Sequence, residues 1–140
     1  NVGAILRSAV AFGAGALITT ARHSPHESGV LAKSASGALE HIDQIEVKNL
    51  ADALGQLHEA GFRTVGLDSE GPEELEKSLS GDKIALVLGA EGKGLRQKTR
   101  ETVTVLARLD MPGPIRSLNV SNAAAVSLYA ASAFLKRNAG

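Results

Sequence analysis

Residues 84–96 read IALVLGAEGKGLR, an apolar run that ends in a glycine-rich loop. The run 84–88 does not alternate with polar side chains, which is typical of a strand buried on both faces of a parallel sheet. Gly89 and two further glycines follow, where the chain can turn tightly and approach a ligand. Glu91 adds a carboxylate, although a tight turn beside a surface glutamate would give the same pattern.

A second loop, residues 109–123, reads LDMPGPIRSLNVSNA and continues directly into an alanine-rich helix. Ser117, Asn119 and Ser121 lie where that helix starts, and the first backbone N–H groups of a helix need acceptors there. The segment therefore predicts a functional loop. Taken alone, these three residues could equally do no more than cap the helix.

A third segment, residues 1–15, reads NVGAILRSAVAFGAG. Its apolar residues recur at helical spacing, and Gly13 supplies a stop signal for the helix. Arg7 lies beside this apolar stripe. An arginine in such a position is usually a solvated side chain, so the pattern alone does not assign it a function.

The remaining chain alternates between helical and strand patterns. The predicted helices cover Val2–Phe12, Gly29–Ser34, Leu50–Glu59 (capped by Asn49 and closed by Gly61), Pro72–Leu79, Leu95–Thr99 and Val120–Arg137. The predicted strands cover Ala16–Thr20, Gln44–Val47, Arg63–Leu67, Ile84–Leu88 and Val103–Leu109. This alternation predicts an α/β fold with a mostly parallel sheet, helices on both faces, and a site at the carboxyl ends of the strands.

Composition is consistent with one enzyme-sized domain. The chain has 140 residues, 44% of them hydrophobic, which is enough to bury a sizeable core. It has no cysteine, and its four histidines lack the spacing of metal ligands, so we expect no disulfide and no metal site. No signal peptide or membrane span is evident, which makes the cytoplasm the expected compartment.

Charge is distributed unevenly although the net charge is zero. Residues 1–92 carry 7 basic and 13 acidic side chains, whereas residues 93–140 carry 8 basic and 2 acidic ones. The basic half includes Arg96 and Arg116, which lie beside the two loops described above. A phosphate backbone would pass there if the substrate were RNA, so both are candidate phosphate contacts.

Taken in their order along the chain, the three segments resemble the three motifs of the SpoU-type (TrmH-like) RNA ribose 2'-O-methyltransferases of the SPOUT superfamily. The resemblance spans essentially the whole chain. The residues that fit are Asn1, Gly3, Arg7, Ala9, Phe12 and Gly13; then Gly89, Glu91, Gly92, Gly94 and Leu95; then Met111, Gly113, Ser117, Leu118, Asn119, Val120, Ser121 and Ala123. The stretch 33–40, KSASGALE, is similar to family members that methylate guanosine in large-subunit ribosomal RNA.

One position departs from the family pattern, because Asp110 stands where a proline is usual. We expect a structural role for this residue, either as a partner of Arg116 or as a cap for a loop amide.

The resemblance implies a deep C-terminal trefoil knot, S-adenosylmethionine as cofactor, an RNA substrate and a homodimer. The chain also starts inside the first motif, so we expect residues 1–140 to be a catalytic domain whose N-terminal RNA-binding domain is absent. By resemblance, the cofactor residues are Gly89, Leu109 and Leu118, with Leu88 and Met111 packed nearby. By the same resemblance, Arg7 is the leading catalytic residue and contacts the target hydroxyl or its phosphate. Glu91 and Asn119 orient the site, and Asn1 and Ser117 have supporting roles.

Three alternatives remain open at this stage. The RNA could be transfer RNA, or the domain could be a non-catalytic RNA-binding module of ribosome assembly. A nicotinamide-dependent oxidoreductase is disfavoured, because GAEGKG lacks the G-x-G-x-x-G order. Binding of S-adenosylmethionine separates the methyltransferase from the last two.

Overall fold

The fold is built on one sheet. The computed structural model describes residues 2–20, 29–34, 42–89, 94–115 and 118–139. Within these ranges the strands are β1 (Ala16–Thr20), β2 (Gly29–Ser34), β3 (Asp43–Val47), β4 (Arg63–Leu67), β5 (Glu73–Glu74), β6 (Lys83–Leu88) and β7 (Val105–Arg108). They pair in the order β3-β1-β2-β6-β4-β7-β5, which puts the apolar strand β6 in the centre.

Helices cover both faces of this sheet. They are α1 (Val2–Ala11), α2 (Leu50–Glu59), α3 (Leu75–Ser78), α4 (Gln97–Thr102) and α5 (Val120–Ala139). No helix in the described part of the chain is long and apolar enough to cross a bilayer.

Strand β6 divides its side chains between two hydrophobic clusters. Leu86 and Leu88 belong to a cluster that includes residues of α1 and α5, whereas Ala85 and Val87 belong to one that includes Leu54 of α2. All four are at most 4% exposed. The prediction of a strand buried on both faces, with helices on either side, is therefore confirmed.

The sheet is mixed, so the prediction of a mostly parallel sheet is wrong. Residues Gly29–Ser34, predicted as a short helix, form β2, which runs antiparallel to β1 on one side and to β6 on the other. The other neighbouring pairs are parallel. Val30, Leu31 and Ala32 are buried one after another, and periodicity alone cannot distinguish such a short apolar run from a helix.

Several boundaries agree closely with the sequence patterns. The predicted bounds of β1, α2 and β4 are confirmed, and Asn49 caps α2 by accepting a hydrogen bond from the backbone N–H of Asp52 at 3.1 Å. Gly61 follows α2 with φ of 92°, a conformation that favours glycine.

The predicted helix at 72–79 was too long, because Glu73–Glu74 form β5 and pair with β7 before the four-residue α3. Helix α4 starts two residues later than predicted and ends three residues later.

Candidate active site

Two of the three sequence motifs leave the sheet from the same edge. Strand β4 lies between β6 and β7 and is parallel to both, with Gly66 in register with Val87 on one side and Leu106 on the other. The carboxyl ends of the three strands therefore meet. Gly89 follows β6 and Leu109 follows β7, so their loops start side by side, as expected for ligand sites in α/β folds.

The glycines after β6 allow a close backbone contact. A Cβ atom on Gly89 would lie 2.3 Å from the carbonyl carbon of Gly94 and 2.7 Å from the nitrogen of Leu95. Gly94 itself has φ of 70°. Only glycine fits at position 89 without moving the backbone, and the positive φ of Gly94 also favours glycine, so the predicted tight turn is confirmed, while approach to a ligand stays a prediction.

The motif before α5 caps that helix. Asn119 Oδ1 accepts hydrogen bonds at 2.9 Å from the backbone N–H of Asn122 and from Oγ of Ser121. The capping interpretation is therefore confirmed for Asn119, whereas Ser121 lies inside α5 and donates to the cap residue. The Nδ2 group of Asn119 has no partner within the described ranges, so it can still donate a hydrogen bond.

Apolar residues border this edge. Leu88 is 4% exposed, Leu109 packs against the same cluster, Met111 is half-buried and Leu118 is 38% exposed. The candidate cofactor residues thus range from the core to the surface. This gradient suits a ligand that enters from solvent and is covered at one end.

The first motif packs on the same face of the sheet as residues of the other two motif segments. Ile5, Leu6 and Phe12 of the α1 segment pack against the cluster that contains Leu88 and is also contacted by Leu109. Helix α1 lies against α5, and the ring of Phe12 meets Tyr129 edge-on with centroids 5.9 Å apart. All three segments therefore contribute to one hydrophobic cluster.

Arg7 projects from α1 as an exposed side chain. None of the residues in the described ranges forms a hydrogen bond or an ion pair with it. Within the described part of the chain, the guanidinium therefore has no structural partner.

Several candidates are placed differently or not at all. Asn1, Glu91, Arg116 and Ser117 lie outside the described residues. Arg96 is exposed and stands at the start of α4, with extended backbone and no capping hydrogen bond from its side chain.

Asp110 has a structural partner, as expected for the position that departs from the family pattern. Its Oδ1 accepts a hydrogen bond from Nε of Arg108 at 2.8 Å. A hydrogen bond with Glu74 and the Arg108 guanidinium lower the pKa of the Asp110 carboxyl. Arg108 also donates to the carbonyl oxygen of Gly71 at 3.0 Å, so this network ties the start of the third motif to the loop after β4.

Sequence analysis missed Asp68, which follows β4 directly at the same edge. Its carboxylate pairs with Arg100 of α4. A signal was present, since an acidic residue directly after an apolar strand lies at the edge where ligands bind. It was weak because one carboxylate in a turn is common.

Comparison with known proteins decides the family. The model of the SpoU rRNA Methylase family matches residues 1–129. The chain belongs to this family. The resemblance seen in the three motifs is thus confirmed.

Two SpoU relatives are close in sequence. The 23S rRNA (guanosine-2'-O-)-methyltransferase RlmB of Ralstonia nicotianae is 43% identical over 131 residues, and the protein of the same name from Pseudomonas putida is 42% identical over 132 residues. Each alignment covers 94% of this chain and 53% of the relative. The chain therefore spans about half the length of these relatives.

A SpoU structure shares the fold. The SpoU methyltransferase AviRb of Streptomyces viridochromogenes, crystallised with the cofactor AdoMet, superposes with a TM-score of 0.72 at 26% identity. The match covers 95% of this chain and 52% of that one.

Proposed function

We propose that the chain is the catalytic domain of an S-adenosylmethionine-dependent RNA methyltransferase. The group it modifies is the ribose 2'-hydroxyl of a guanosine in 23S ribosomal RNA. One observation carries the proposal: residues of all three motif segments pack into one hydrophobic cluster, and Gly89 and Leu109 follow parallel strands that end at the same edge of the sheet. The names of the relatives from Ralstonia and Pseudomonas support the substrate. Because those relatives act on ribosomal RNA, we also propose the cytoplasm as the compartment.

The residues at this edge fit S-adenosylmethionine. Gly89 leaves no room for a side chain against Gly94, so backbone groups rather than side chains would face the ligand there. Leu88, Leu109, Met111 and Leu118 would provide apolar surface for the adenine and methionine parts. When bound, the cofactor supplies an activated methyl group on a sulfonium.

The chain's own residues would position the acceptor. Arg7 is permanently protonated, so it cannot take the proton of the 2'-hydroxyl, and we assign it to holding the hydroxyl or the adjacent phosphate by charge. A substrate phosphate then accepts the proton. Within the described ranges the Nδ2 group of Asn119 has no partner, so we assign it to orienting the acceptor. We keep Glu91, Asn1 and Ser117 as proposed partners in that orientation.

The RNA backbone would approach over the basic half of the chain. We propose Arg96 and Arg116 as its phosphate contacts, because they flank the second and third motifs. Their contribution is expected to weaken with rising salt.

We further propose a homodimer formed through α1 and α5. Val10 of α1 is 54% exposed, and Val126 and Tyr129 of α5 are 47% and 64% exposed. Large apolar side chains exposed on two packed helices support an interface. Sedimentation at micromolar concentration is expected to give a dimer, and a monomer would contradict this part.

The trefoil knot that the resemblance implies also stays a proposal. It is supported by the packing of α5 against α1 and against the central strand β6.

The decisive experiment uses S-adenosylmethionine with a labelled methyl group. We expect the protein to bind it and to transfer the label to the ribose of a guanosine in unmodified 23S ribosomal RNA. Transfer RNA is the second arm, and label there would move the substrate assignment to transfer RNA. Failure to bind the donor would refute the proposed function.

A further inference from the structure

Asp68 lies between the two loops that carry the proposed cofactor residues. It follows β4, which pairs with β6 on one side and with β7 on the other. The three strands are parallel, so Asp68 lies on the edge where Gly89 and Leu109 leave the sheet. The centre of the proposed cofactor edge therefore carries a carboxylate that belongs to none of the three motifs.

Both oxygens of this carboxylate have partners. Oδ1 accepts a hydrogen bond from the backbone N–H of Glu70 at 3.0 Å, and Oδ2 pairs with Nη1 of Arg100. The Asp68 side chain is 15% exposed and that of Arg100 is 37% exposed. The Glu70 hydrogen bond and the Arg100 guanidinium together lower the pKa of Asp68, although partial burial opposes them. Asp68 is therefore a charged partner of Arg100 at neutral pH.

Arg100 connects this carboxylate to the backbone at the glycine loop. It lies on α4, which begins two residues after Leu95. Leu95 is buried over β4, where its Cδ1 lies 2.9 Å from the place that a Cβ on Gly66 would occupy. Helix α4 and its leading residue are thus held to β4 at two points, one apolar and one ionic.

We propose that Asp68 and Arg100 are a positioning pair for the methyl donor. Their ion pair holds α4 so that the backbone of Gly94 and Leu95 stays against Gly89. Neither side chain is assigned a contact with the donor, because both act through α4. This inference rests on the proposed function, since it takes Gly89 as part of the donor pocket.

Removal of either partner leaves the other charge partly buried without its counter-ion. The start of α4 is then free to shift, and a small displacement of groups that position a ligand has a large effect on its binding. We therefore expect donor affinity to fall more than a loss of surface charge alone would explain.

The test measures the affinity of S-adenosylmethionine by calorimetry for the wild type, Asp68→Asn, Arg100→Gln and the double variant. We expect each single change to weaken binding by about fivefold, within the range for residues that couple to a site without touching the ligand. The double variant is expected to bind the donor about as tightly as the single variant of lower affinity, because each single change already breaks the same ion pair.

Two control variants remove a similar charge from the same elements. Glu70→Gln alters the same turn, since only the backbone of Glu70 contacts Asp68. Lys98→Gln removes an exposed positive charge from α4. Both are expected to bind the donor within about twofold of the wild type, as expected for exposed charges. Arg100→Lys keeps the charge and is expected to stay within the same limit.

The outcomes separate this inference from the proposed function. If the wild type does not bind the donor, the proposed function fails. If the wild type binds it and Asp68→Asn and Arg100→Gln bind as tightly as the two controls, the positioning pair is refuted. Should Asp68→Asn not fold, the comparison of Arg100→Gln with Arg100→Lys decides, and equal affinities refute the pair.

Discussion

Polar groups at the amino edge of the central sheet are paired differently from those around the proposed site. At the amino edge, His58 Nε2 lies 2.7 Å from Thr64 Oγ1, and the backbone N–H of Thr104 donates to that same oxygen at 2.8 Å. The N–H of Thr64 donates in return to Thr104 Oγ1 at 3.1 Å. Thr64 is fully buried, so this edge is closed by groups that satisfy one another.

Around the proposed site the pairing is mixed, because Asp68 pairs with Arg100 and Asp110 pairs with Arg108, whereas two groups of the motifs have no partner in the described part of the chain. Arg7 is exposed without a partner among the residues the structure describes, and the Nδ2 group of Asn119 likewise has none there. Gly89 exposes backbone where a side chain would not fit. Groups that are already paired contribute to stability, whereas unpaired groups at a strand edge are available to a ligand. The network around Thr64 therefore serves stability, whereas Arg7 and Asn119 are the groups that we propose to meet a ligand.

The largest effect is expected from removing the Arg7 guanidinium, which has no partner among the described residues. We expect Arg7→Ala to lower kcat/KM for RNA methylation by about 100-fold or more, as expected for loss of a preorganised charge. The free energy of unfolding should change by no more than about 0.5 kcal/mol, because Arg7 is exposed. Arg137→Ala, which removes an exposed charge from the last turn of α5, is the control, and equal rates for the two variants would contradict the role of Arg7.

A change at the glycine contact should affect binding and stability together. In Gly89→Ala the new Cβ meets the backbone of Gly94, so we expect donor binding to be lost and unfolding to become easier by about 2–3 kcal/mol. Gly55→Ala is the matched control, because a Cβ there meets nothing within 4 Å and Gly55 lies inside α2. That variant should be more stable by about 0.5–1 kcal/mol. Calorimetry measures the donor affinity, and denaturant titration measures the free energy of unfolding. Unchanged donor affinity in Gly89→Ala would count against the site.

At the amino edge the expected effect is on stability alone. Thr64→Val keeps the shape but leaves the N–H of Thr104 without its acceptor, which should cost about 1–3 kcal/mol of unfolding free energy. Donor affinity should stay at the wild-type value. Thr64→Ser keeps the hydroxyl and is the control. If Thr64→Val is folded but no longer binds the donor, the two edges are not independent.

The smallest effect concerns pH. The folded state lowers the pKa of Asp68 from its ordinary value of 3.8, so the carboxylate adds stability at neutral pH that is lost as pH falls through the lower folded value. Asp68→Asn should therefore be less stable than the wild type at pH 7 by about 1 kcal/mol or less. This difference in unfolding free energy should shrink as the pH falls below 3.8. Denaturant unfolding at several pH values measures it, and a difference that grows at low pH would contradict the sign of the pKa shift.

Much of the carboxyl edge was predictable from sequence because its signals are local. The unbroken apolar run of β6 predicted a central strand, and the glycines after it predicted a close backbone approach. The spacing of Asn119 and Ser121 before an alanine-rich helix predicted a cap.

What could not be predicted depends on pairing between distant residues. The run 29–34 could become a helix or a strand, and its antiparallel place between β1 and β6 decides the matter. Asp68 and Arg100 are 32 residues apart, and Thr64 and Thr104 are 40 apart, so no local pattern connects them. Asp110 was expected to serve the structure, but its described partner is Arg108 rather than Arg116.

The most direct test of the account is an amide NMR titration of the labelled protein with S-adenosylmethionine. The account predicts shifts at Gly89, Gly94, Leu109, Leu118 and Asn119, with His58, Thr64 and Thr104 unchanged. Absence of binding, or shifts that cluster around Thr64 at the amino edge, would contradict it.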